Sequence, residues 1–258
     1  MCGRYAASQH LDDLIHEFDI EQGPEVELAA DHNVAPTKDV YLVADRVRDT
    51  GTVRELHVAR WGLVPSWAKD PSIGSRLINA RLETVAVKPA FRKALAARRC
   101  LLPADGYYEW YTPQPQHDDG RGAPDRPAGT AGPAARGRKQ PFFIRPADGG
   151  ILAMAGLYEF WRDPGRAADD PARWWVTTTV ITTTAPDELG RIHDRMPLMV
   201  EPARWDQWLA PGPVTQAELA ELLVPAAPGP LAAYPVSTLV NDVRNNGPQL
   251  VEPVAVSS

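Results

Sequence analysis

Cys2 is the residue with the most distinctive chemistry in this sequence. Removal of the initiator methionine, which we expect because cysteine is small, would expose an α-amine beside the thiol. An α-amine has a pKa of about 7.7–8.0 and a cysteine thiol one of about 8.5, so both are partly deprotonated near neutral pH. Such an aminothiol can condense with an aldehyde and close to a thiazolidine, or act as an N-terminal nucleophile of the amidohydrolase kind. The alternative is a buried small residue at the start of a strand.

Glu109 is a candidate for proton transfer. It lies in Gly106-Tyr107-Tyr108-Glu109-Trp110, where the two-residue period of a strand puts it on the same face as Tyr107 and Tyr111. A carboxylate between aromatic rings often has a raised pKa. A surface strand with Glu109 facing water explains the pattern equally well.

Two further polar residues could assist. His193, followed by Asp194 and Arg195, is a candidate general acid or base, although a histidine in a short turn is more often a structural hydrogen-bonding residue. Asn79 comes two residues before Arg81, ahead of a basic segment. On its own that pair is more typical of an Asn in a turn followed by an ordinary helix start.

Composition excludes several classes of protein. The chain has 258 residues and only two cysteines, Cys2 and Cys100, without a C-x-x-C motif, so a disulfide framework or cysteine-rich zinc site is not expected. Neither a metal nor a cofactor is predicted, because P-loop, G-x-G-x-x-G and H-E-x-x-H motifs are absent. With no signal-peptide pattern and no apolar run of eighteen residues, we expect a soluble, cytoplasmic protein without a membrane partner.

The charge is distributed unevenly. A net charge of −6 argues mildly against a nucleic-acid partner. Between Arg76 and Arg99, however, seven basic residues accompany a single acid, Glu83. This segment could track a phosphate backbone, or it could be a solvated helix face.

Periodicity predicts an α+β fold. Apolar residues spaced at i, i+3, i+4 and i+7 predict a helix over 9–19 with Ser8 as N-cap. A helix is also expected over 90–98, and shorter helices over 187–192, 202–209 and 215–223. Strands are expected at 40–43, 57–61, 100–111, 141–146, 151–160 and 174–184. Long strands without a regular βαβ rhythm indicate a mixed or barrel-like sheet with peripheral helices.

One domain is expected over residues 1–258, with an insertion at 112–139. The insertion contains five prolines and five glycines, and it lacks Val, Leu, Ile and aromatic residues. Such a composition cannot repay the entropy of ordering, so we expect a disordered excursion between two strands.

Seven motifs in order resemble those of the SOS response-associated peptidase (SRAP) family, whose members process abasic sites. They are Cys-Gly-Arg-Tyr at the start, Asn-Val-Ala-Pro-Thr, Trp-Gly-Leu-Val-Pro-Ser-Trp, Asn-Ala-Arg-Leu-Glu-Thr, Ala-Asp-Gly-Tyr-Tyr-Glu-Trp, Lys-Gln-Pro-Phe-Phe-Ile and Ile-His-Asp-Arg-Met-Pro. The resemblance extends to Val240-Asn241-Asp242-Val243-Arg244-Asn245. It therefore covers nearly the whole chain apart from the insertion.

The resemblance implies a covalent reaction with DNA. Family members attach to abasic sites in single-stranded DNA, which protects the strand during replication and the response to DNA damage. Cys2 would attack the ring-opened aldehyde with its amine and close a thiazolidine with its thiol. Glu109 would move protons, His193 would assist ring opening and reversal, and Asn79 would bind the linked sugar.

The resemblance also implies a DNA-binding surface. Arg4 and Arg81 match phosphate-binding arginines, and Thr182 matches more weakly a residue that contacts sugar or phosphate. Pro36 and Trp67 lie in loops where a duplex could be wedged apart. Where the family often has a second tryptophan after Trp67 this chain has Ala68, which weakens the expected wedge at a junction of single- and double-stranded DNA.

Two other functions are compatible with these residues. Cys2 could be the nucleophile of an autopeptidase that removes the chain's own initiator methionine with help from Glu109 and His193. Alternatively, the protein could bind single-stranded DNA without a covalent bond. We expect a monomer that associates with the nucleoid when bound to DNA.

Overall fold

The computed structural model describes residues 2–112, 139–225 and 230–255. The strands are β1 (Tyr5–Ala7), β2 (Asp31–Val34), β3 (Asp39–Arg48), β4 (Gly51–Trp61), β5 (Asn79–Arg81), β6 (Arg99–Ala104), β7 (Gly106–Tyr111), β8 (Gln140–Pro146), β9 (Leu152–Arg162), β10 (Trp174–Thr184), β11 (Arg195–Pro197) and β12 (Leu231–Pro235). The α-helices are α1 (Leu11–Glu17), α2 (Leu82–Val85), α3 (Arg92–Ala97), α4 (Asp187–Gly190), α5 (Trp205–Leu209) and α6 (Gln216–Leu222). Short 3₁₀ helices span Pro71–Arg76, Pro171–Arg173, Pro202–Arg204, Thr238–Asn241 and Pro248–Leu250.

The strands form two sheets. The first has the order β12-β8-β7-β1-β2, and its neighbouring strands are antiparallel. The second has the order β11-β10-β4-β3-β6-β9, with β5 paired beside β10. In this second sheet β9 also pairs with β10, which closes the ring of strands, and β10 runs parallel to β4 and β5. The predicted α+β fold with a mixed, barrel-like sheet is confirmed.

Alternation along β3 assigns its two faces to different cores. Val40, Leu42 and Ala44 pack in a cluster that also contains Cys2 and Tyr107 from the first sheet and the segment before it. The intervening residues of β3 pack in a second cluster with the apolar residues of helices α1, α3 and α5. The candidate site therefore belongs to the core that the two sheets share, and the helices cover the other face of the larger sheet.

Several predicted boundaries are wrong. Helix α1 begins at Leu11, and its N-cap is His10 rather than Ser8. The Ser8 amide and hydroxyl instead donate to Asp105 Oδ2 at 2.8 and 2.7 Å. The expected strand over 100–111 is two strands, β6 and β7, which belong to different sheets and separate at Asp105. Sequence periodicity misses this break because both halves remain extended.

The expected insertion at 112–139 falls almost wholly on residues 113–138, outside the described residues. Residues 112 and 139 flank it at the ends of β7 and β8, which pair with each other from Tyr111 opposite Gln140. In the described part of the chain, no helix combines the length and apolar character needed to cross a membrane.

Candidate active site

The pairing of β1 with β7 brings the amino-terminal segment beside Glu109. Tyr5 lies opposite Tyr107 in antiparallel register, and the Tyr108 amide donates to the Arg4 carbonyl at 2.9 Å. Continuing the register towards the amino terminus places Cys2 and Gly3 alongside the Glu109 end of β7. Two motifs more than one hundred residues apart in sequence thereby form one site.

Asn79 holds the Cys2 backbone from the second sheet. Its Nδ2 donates to the Cys2 carbonyl at 2.7 Å, while its Oδ1 is buried and has no hydrogen-bond partner among the described residues. Asn79 is fixed by the parallel pairing of β5 with β10, where it lies opposite Val180. The amide therefore anchors the Cys2 backbone and leaves one buried acceptor without a partner among the described residues.

Glu109 is buried rather than facing water, with 3% of its surface exposed. Burial raises the pKa of Glu109 to about 7, and the negative charge of Asp194 acts in the same direction. The positive charge of the chain's amino terminus opposes this increase. A carboxyl group with a pKa near neutrality can both accept and donate a proton at physiological pH.

The Cys2 thiol is fully buried, and its Sγ lies 3.9 Å from the Arg4 carbonyl oxygen. Burial raises the pKa of Cys2 well above its usual value, and the charge of Glu109 raises it further. The positive charge of the amino terminus acts in the opposite direction. At neutral pH the thiol is therefore protonated in this environment.

The turn that carries His193 lies between β10 and β11. The Arg195 amide donates to His193 Nδ1 at 3.0 Å, and Asp194 Oδ1 lies 3.0 Å from the same nitrogen. Burial lowers the pKa of His193, and the positive charge of the amino terminus lowers it further, although Asp194 opposes the shift. The neutral form of the imidazole is therefore favoured.

Arg195 and Glu83 fix this turn, and sequence reasoning had given neither of them a role. Arg195 Nη1 and Nη2 donate to the two carboxylate oxygens of Glu83 at 2.6 and 3.1 Å. Arg195 Nη2 also donates to the Thr182 carbonyl at 2.5 Å. This bidentate pair joins β11 to α2, so it sets the position of His193 relative to Asn79. Both residues belong to the quoted motifs, which was the available signal.

A groove of about 490 Å³ opens along this bridge. Its lining residues are Arg81, Glu83, Thr84, His193, Asp194 and Arg195. Arg81 is exposed, as a phosphate-binding residue requires. Thr182, in contrast, is fully buried, and its hydroxyl lies 3.4 Å from Arg195 Nη2. Its expected contact with DNA stays a prediction, and Arg195 stands between it and the groove.

Arg4 makes internal contacts. Its Nη1 donates to Asn33 Oδ1 at 2.6 Å and to the Val240 carbonyl at 2.8 Å, and Arg4 is half-buried. Asn33 is fully buried and donates to the carbonyls of Val240, Asp242 and Asn245. Arg4 therefore ties the amino-terminal segment to the closing Val240–Asn245 motif, and its expected phosphate contact stays a prediction.

Pro36 and Trp67 lie on loops near the end of β4. The amide of Thr37, which follows Pro36, donates to the Trp61 carbonyl at 2.8 Å. Gly62, which follows Trp61, has a φ of 127°. A Cβ atom at Gly62 would lie 2.6 Å from the Gly74 carbonyl oxygen, so the close approach of these two backbone segments requires glycine. Trp67 is 57% exposed and is thus available for stacking.

The basic run after Arg76 is only partly a surface. Arg99 is buried and donates to the carbonyls of Trp208, Leu95, Ala96 and Ala210, while Arg98 pairs with Glu159 at 2.8 Å. The prediction that the whole run tracks phosphates is wrong for these two residues, since their charges are used inside the fold. Sequence alone cannot distinguish a core arginine from a surface one.

Comparison with known proteins identifies the family. The family model described as SOS response associated peptidase (SRAP) matches residues 1–243. The chain belongs to the SRAP family. Among its relatives are abasic site processing protein YoqW of Bacillus subtilis, 37% identical over 98% of this chain and 99% of that protein, and abasic site processing protein YedK of Escherichia coli, 31% identical over 98% and 100%.

A relative matched over part of its length and a solved structure were also found. Abasic site processing protein HMCES of Gallus gallus is 33% identical over 78% of this chain and 58% of that protein. A crystal structure of a Bacteroides thetaiotaomicron protein has a TM-score of 0.74 at 24% identity, covering 98% of this chain and all of that one. This last likeness concerns the fold alone.

Proposed function

We propose that this protein processes abasic sites in single-stranded DNA by forming a covalent thiazolidine link through Cys2. The observation that carries the proposal is that Cys2 lies beside Asn79, which hydrogen-bonds its carbonyl, and beside a buried Glu109 whose pKa is about 7. Several relatives are named abasic site processing proteins. The ring-opened form of an abasic site supplies the aldehyde with which an aminothiol condenses.

The first step is imine formation. Once Met1 is removed, the Cys2 amine adds its lone pair to the aldehyde carbon, and the resulting carbinolamine loses water to give the C=N bond. Glu109 accepts a proton from the attacking amine and returns it to the departing hydroxyl, which a carboxyl group with a pKa of about 7 can do near neutrality. General acid–base groups contribute roughly 10²–10⁴-fold to such steps.

The second step is ring closure. The Cys2 sulfur bonds to the imine carbon, the C=N π pair moves to nitrogen, and the thiol proton is transferred to that nitrogen. No oxidant or cofactor is required. Holding amine, thiol and aldehyde together in one buried site supplies much of the rate.

His193 and Asn79 act on the sugar. The neutral His193 ring carries one N–H and can donate it to the sugar oxygen during ring opening. Asn79 Oδ1, buried and unpartnered among the described residues, accepts from a sugar hydroxyl. Both contacts would also assist reversal of the link.

The substrate strand is placed along the groove beside Arg81. Exposed Arg81 binds a phosphate there, and Trp67 and Pro36 oppose continuation of a stacked duplex. Arg4 and Thr182 are weaker contributors, because Arg4 is engaged internally and Thr182 is buried. An abasic site in a single strand should react faster than one in an intact duplex.

The test mixes the mature protein with single-stranded DNA that carries one abasic site and follows a heat-stable adduct by denaturing gel and mass spectrometry. Cys2→Ser should abolish the stable adduct. Cys100→Ser is the matched control, since Cys100 is equally buried but packs against Thr178, with Sγ 3.7 Å from the Thr178 hydroxyl. Glu109→Gln should slow adduct formation by roughly 10²–10⁴-fold without comparable loss of binding to intact DNA.

Two outcomes would replace the proposal. A gel shift that disappears on denaturation would indicate a non-covalent single-strand binder. Cleavage of the initiator methionine or of a peptide, without an adduct, would indicate the autopeptidase. Equal loss of adduct in the Cys2 and Cys100 variants would show that the effect is structural.

A further inference from the structure

Tyr107 lies next to the proposed reaction centre, yet its hydroxyl has no hydrogen-bond partner among the described residues. The side chain is fully buried. Tyr107 is two residues before Glu109 on β7, so both side chains project from the same face. It packs in the same apolar cluster as Cys2.

The unpartnered hydroxyl needs an explanation. A buried polar group without a partner destabilises the folded protein, and native proteins contain few of them. Phenylalanine would fill the same space without that cost. The neighbouring Tyr108, on the opposite face of β7, is satisfied, because its hydroxyl donates to the His32 carbonyl at 2.7 Å. The unsatisfied hydroxyl of Tyr107 therefore points to a hydrogen-bond partner that forms only during the reaction.

Cys2 sulfur is the partner that the surroundings favour. Ring closure needs a sulfur that has lost its proton, and the contact found for the thiol is with a carbonyl oxygen, which cannot stabilise a thiolate. Burial, followed by the charges of Cys2 and Glu109, raises the pKa of Tyr107 well above its usual value. The Tyr107 hydroxyl therefore stays protonated, and it lies close enough to Cys2 and Glu109 for their charges to act on it.

We propose that Tyr107 Oη donates a hydrogen bond to the Cys2 thiolate in the ring-closing step. This inference rests on the proposed function. The phenol keeps its proton throughout. The sulfur's own proton first passes to the lone pair of the imine nitrogen, which leaves a thiolate and an iminium ion. The thiolate then forms the S–C bond as the C=N π pair moves to that nitrogen. Tyr107 is thus assigned to the second step and has no task in imine formation.

The experiment compares Tyr107→Phe with wild type on single-stranded abasic DNA. Borohydride added at short times traps the imine, whereas heat-stable adduct without reductant measures the closed ring. Tyr107→Phe should leave the trapped imine within twofold of wild type and slow ring closure about 10- to 100-fold, the range expected for a lost hydrogen bond to a charged group. The pH at which ring closure is half-maximal should rise.

Tyr108→Phe is the matched control. It removes the hydroxyl that donates to His32, so it should lower the urea midpoint while ring closure stays within twofold of wild type. Tyr107→Phe should keep or raise the urea midpoint, because it removes an unsatisfied buried group. Equal slowing of imine and ring formation, or ring closure within twofold of wild type, would overturn the assignment.

A readout without DNA separates this inference from the proposed function. In a Cys100→Ser background, the rate of Cys2 alkylation by iodoacetamide at pH 9 reports the small thiolate population. Tyr107→Phe should lower this rate about 10-fold or more, and an unchanged rate would refute the hydrogen bond. Absence of any adduct with wild type would refute the proposed function, whatever the alkylation rate.

Discussion

Replacing Glu109 by glutamine should change the pH dependence of stability in a defined direction. Burial raises the pKa of Glu109 from its ordinary value near 4.5 to about 7. Below pH 4.5 the carboxyl is protonated in folded and unfolded chains alike. Above pH 7 the folded chain must hold a buried carboxylate. The contribution of Glu109 to stability is therefore present at low pH and is lost as the pH rises through about 7.

The size of this change in stability follows from the difference between the pKa of Glu109 in the unfolded and in the folded chain. A pKa difference of one corresponds to about 1.36 kcal/mol. The interval from 4.5 to about 7 therefore corresponds to about 3 kcal/mol of unfolding free energy. Glutamine does not titrate. The difference in unfolding free energy between wild type and Glu109→Gln should shift by about that amount, against wild type, between pH 4.5 and pH 8.

Urea denaturation at a series of pH values measures this difference. Glu55→Gln is the control, because Glu55 is also buried but its pKa is lowered. Burial acts to raise the pKa of Glu55. The hydrogen bond from Arg48, whose Nη2 lies 2.7 Å from Oε2, and the charge of His57 outweigh the effect of burial. Its contribution should be lost as pH falls, the opposite direction. A difference between wild type and Glu109→Gln that is constant within 0.5 kcal/mol from pH 4.5 to 8 would refute the raised pKa and the proton-transfer role built on it.

Three other changes test the remaining architecture. Asn33→Ala should destabilise the fold by about 2–4 kcal/mol, because it leaves the Arg4 guanidinium and three carbonyls of the closing segment without their partner. A decrease of less than about 1 kcal/mol in the unfolding free energy measured with urea would contradict this. Arg195→Ala should slow adduct formation by up to about 10²-fold, since the His193 turn loses its bidentate link to Glu83, and Glu83→Gln should have a smaller effect. Unchanged single-turnover rates for both variants would show that the Arg195–Glu83 ion pair has no part in the mechanism. Trp67→Ala should weaken binding to single-stranded DNA about 5- to 100-fold at fixed salt while leaving the urea midpoint unchanged, because the ring is 57% exposed; unaltered affinity in a fluorescence titration would argue against stacking.

Residue identity and order were enough to predict the family and the α+β class. They also gave Cys2, Asn79, Glu109 and His193 as candidate site residues, whose roles stay predictions. Period-two alternation placed Tyr107 and Glu109 on one face of a strand, and the structure has them so. Local pattern works for such features because side-chain direction along a strand depends only on the backbone of that strand.

Only the tertiary structure decided where polar groups find their partners. Arg98, Arg99 and Arg81 belong to one basic stretch of sequence, yet Arg99 is buried under four backbone carbonyls and Arg81 lies exposed on the groove. The break at Asp105 was hidden for the same reason, since both sides of it are extended. These features depend on which distant segments pair.

The chemistry of the site is set by the same long-range pairings. Cys2 meets Asn79 because β5 lies along β10, and it meets Glu109 because β1 lies along β7. Burial between the two sheets then raises the pKa of Glu109 to about 7. Sequence named the groups able to react, whereas desolvation and register, which arise only when remote strands pack, decided their protonation and their neighbours.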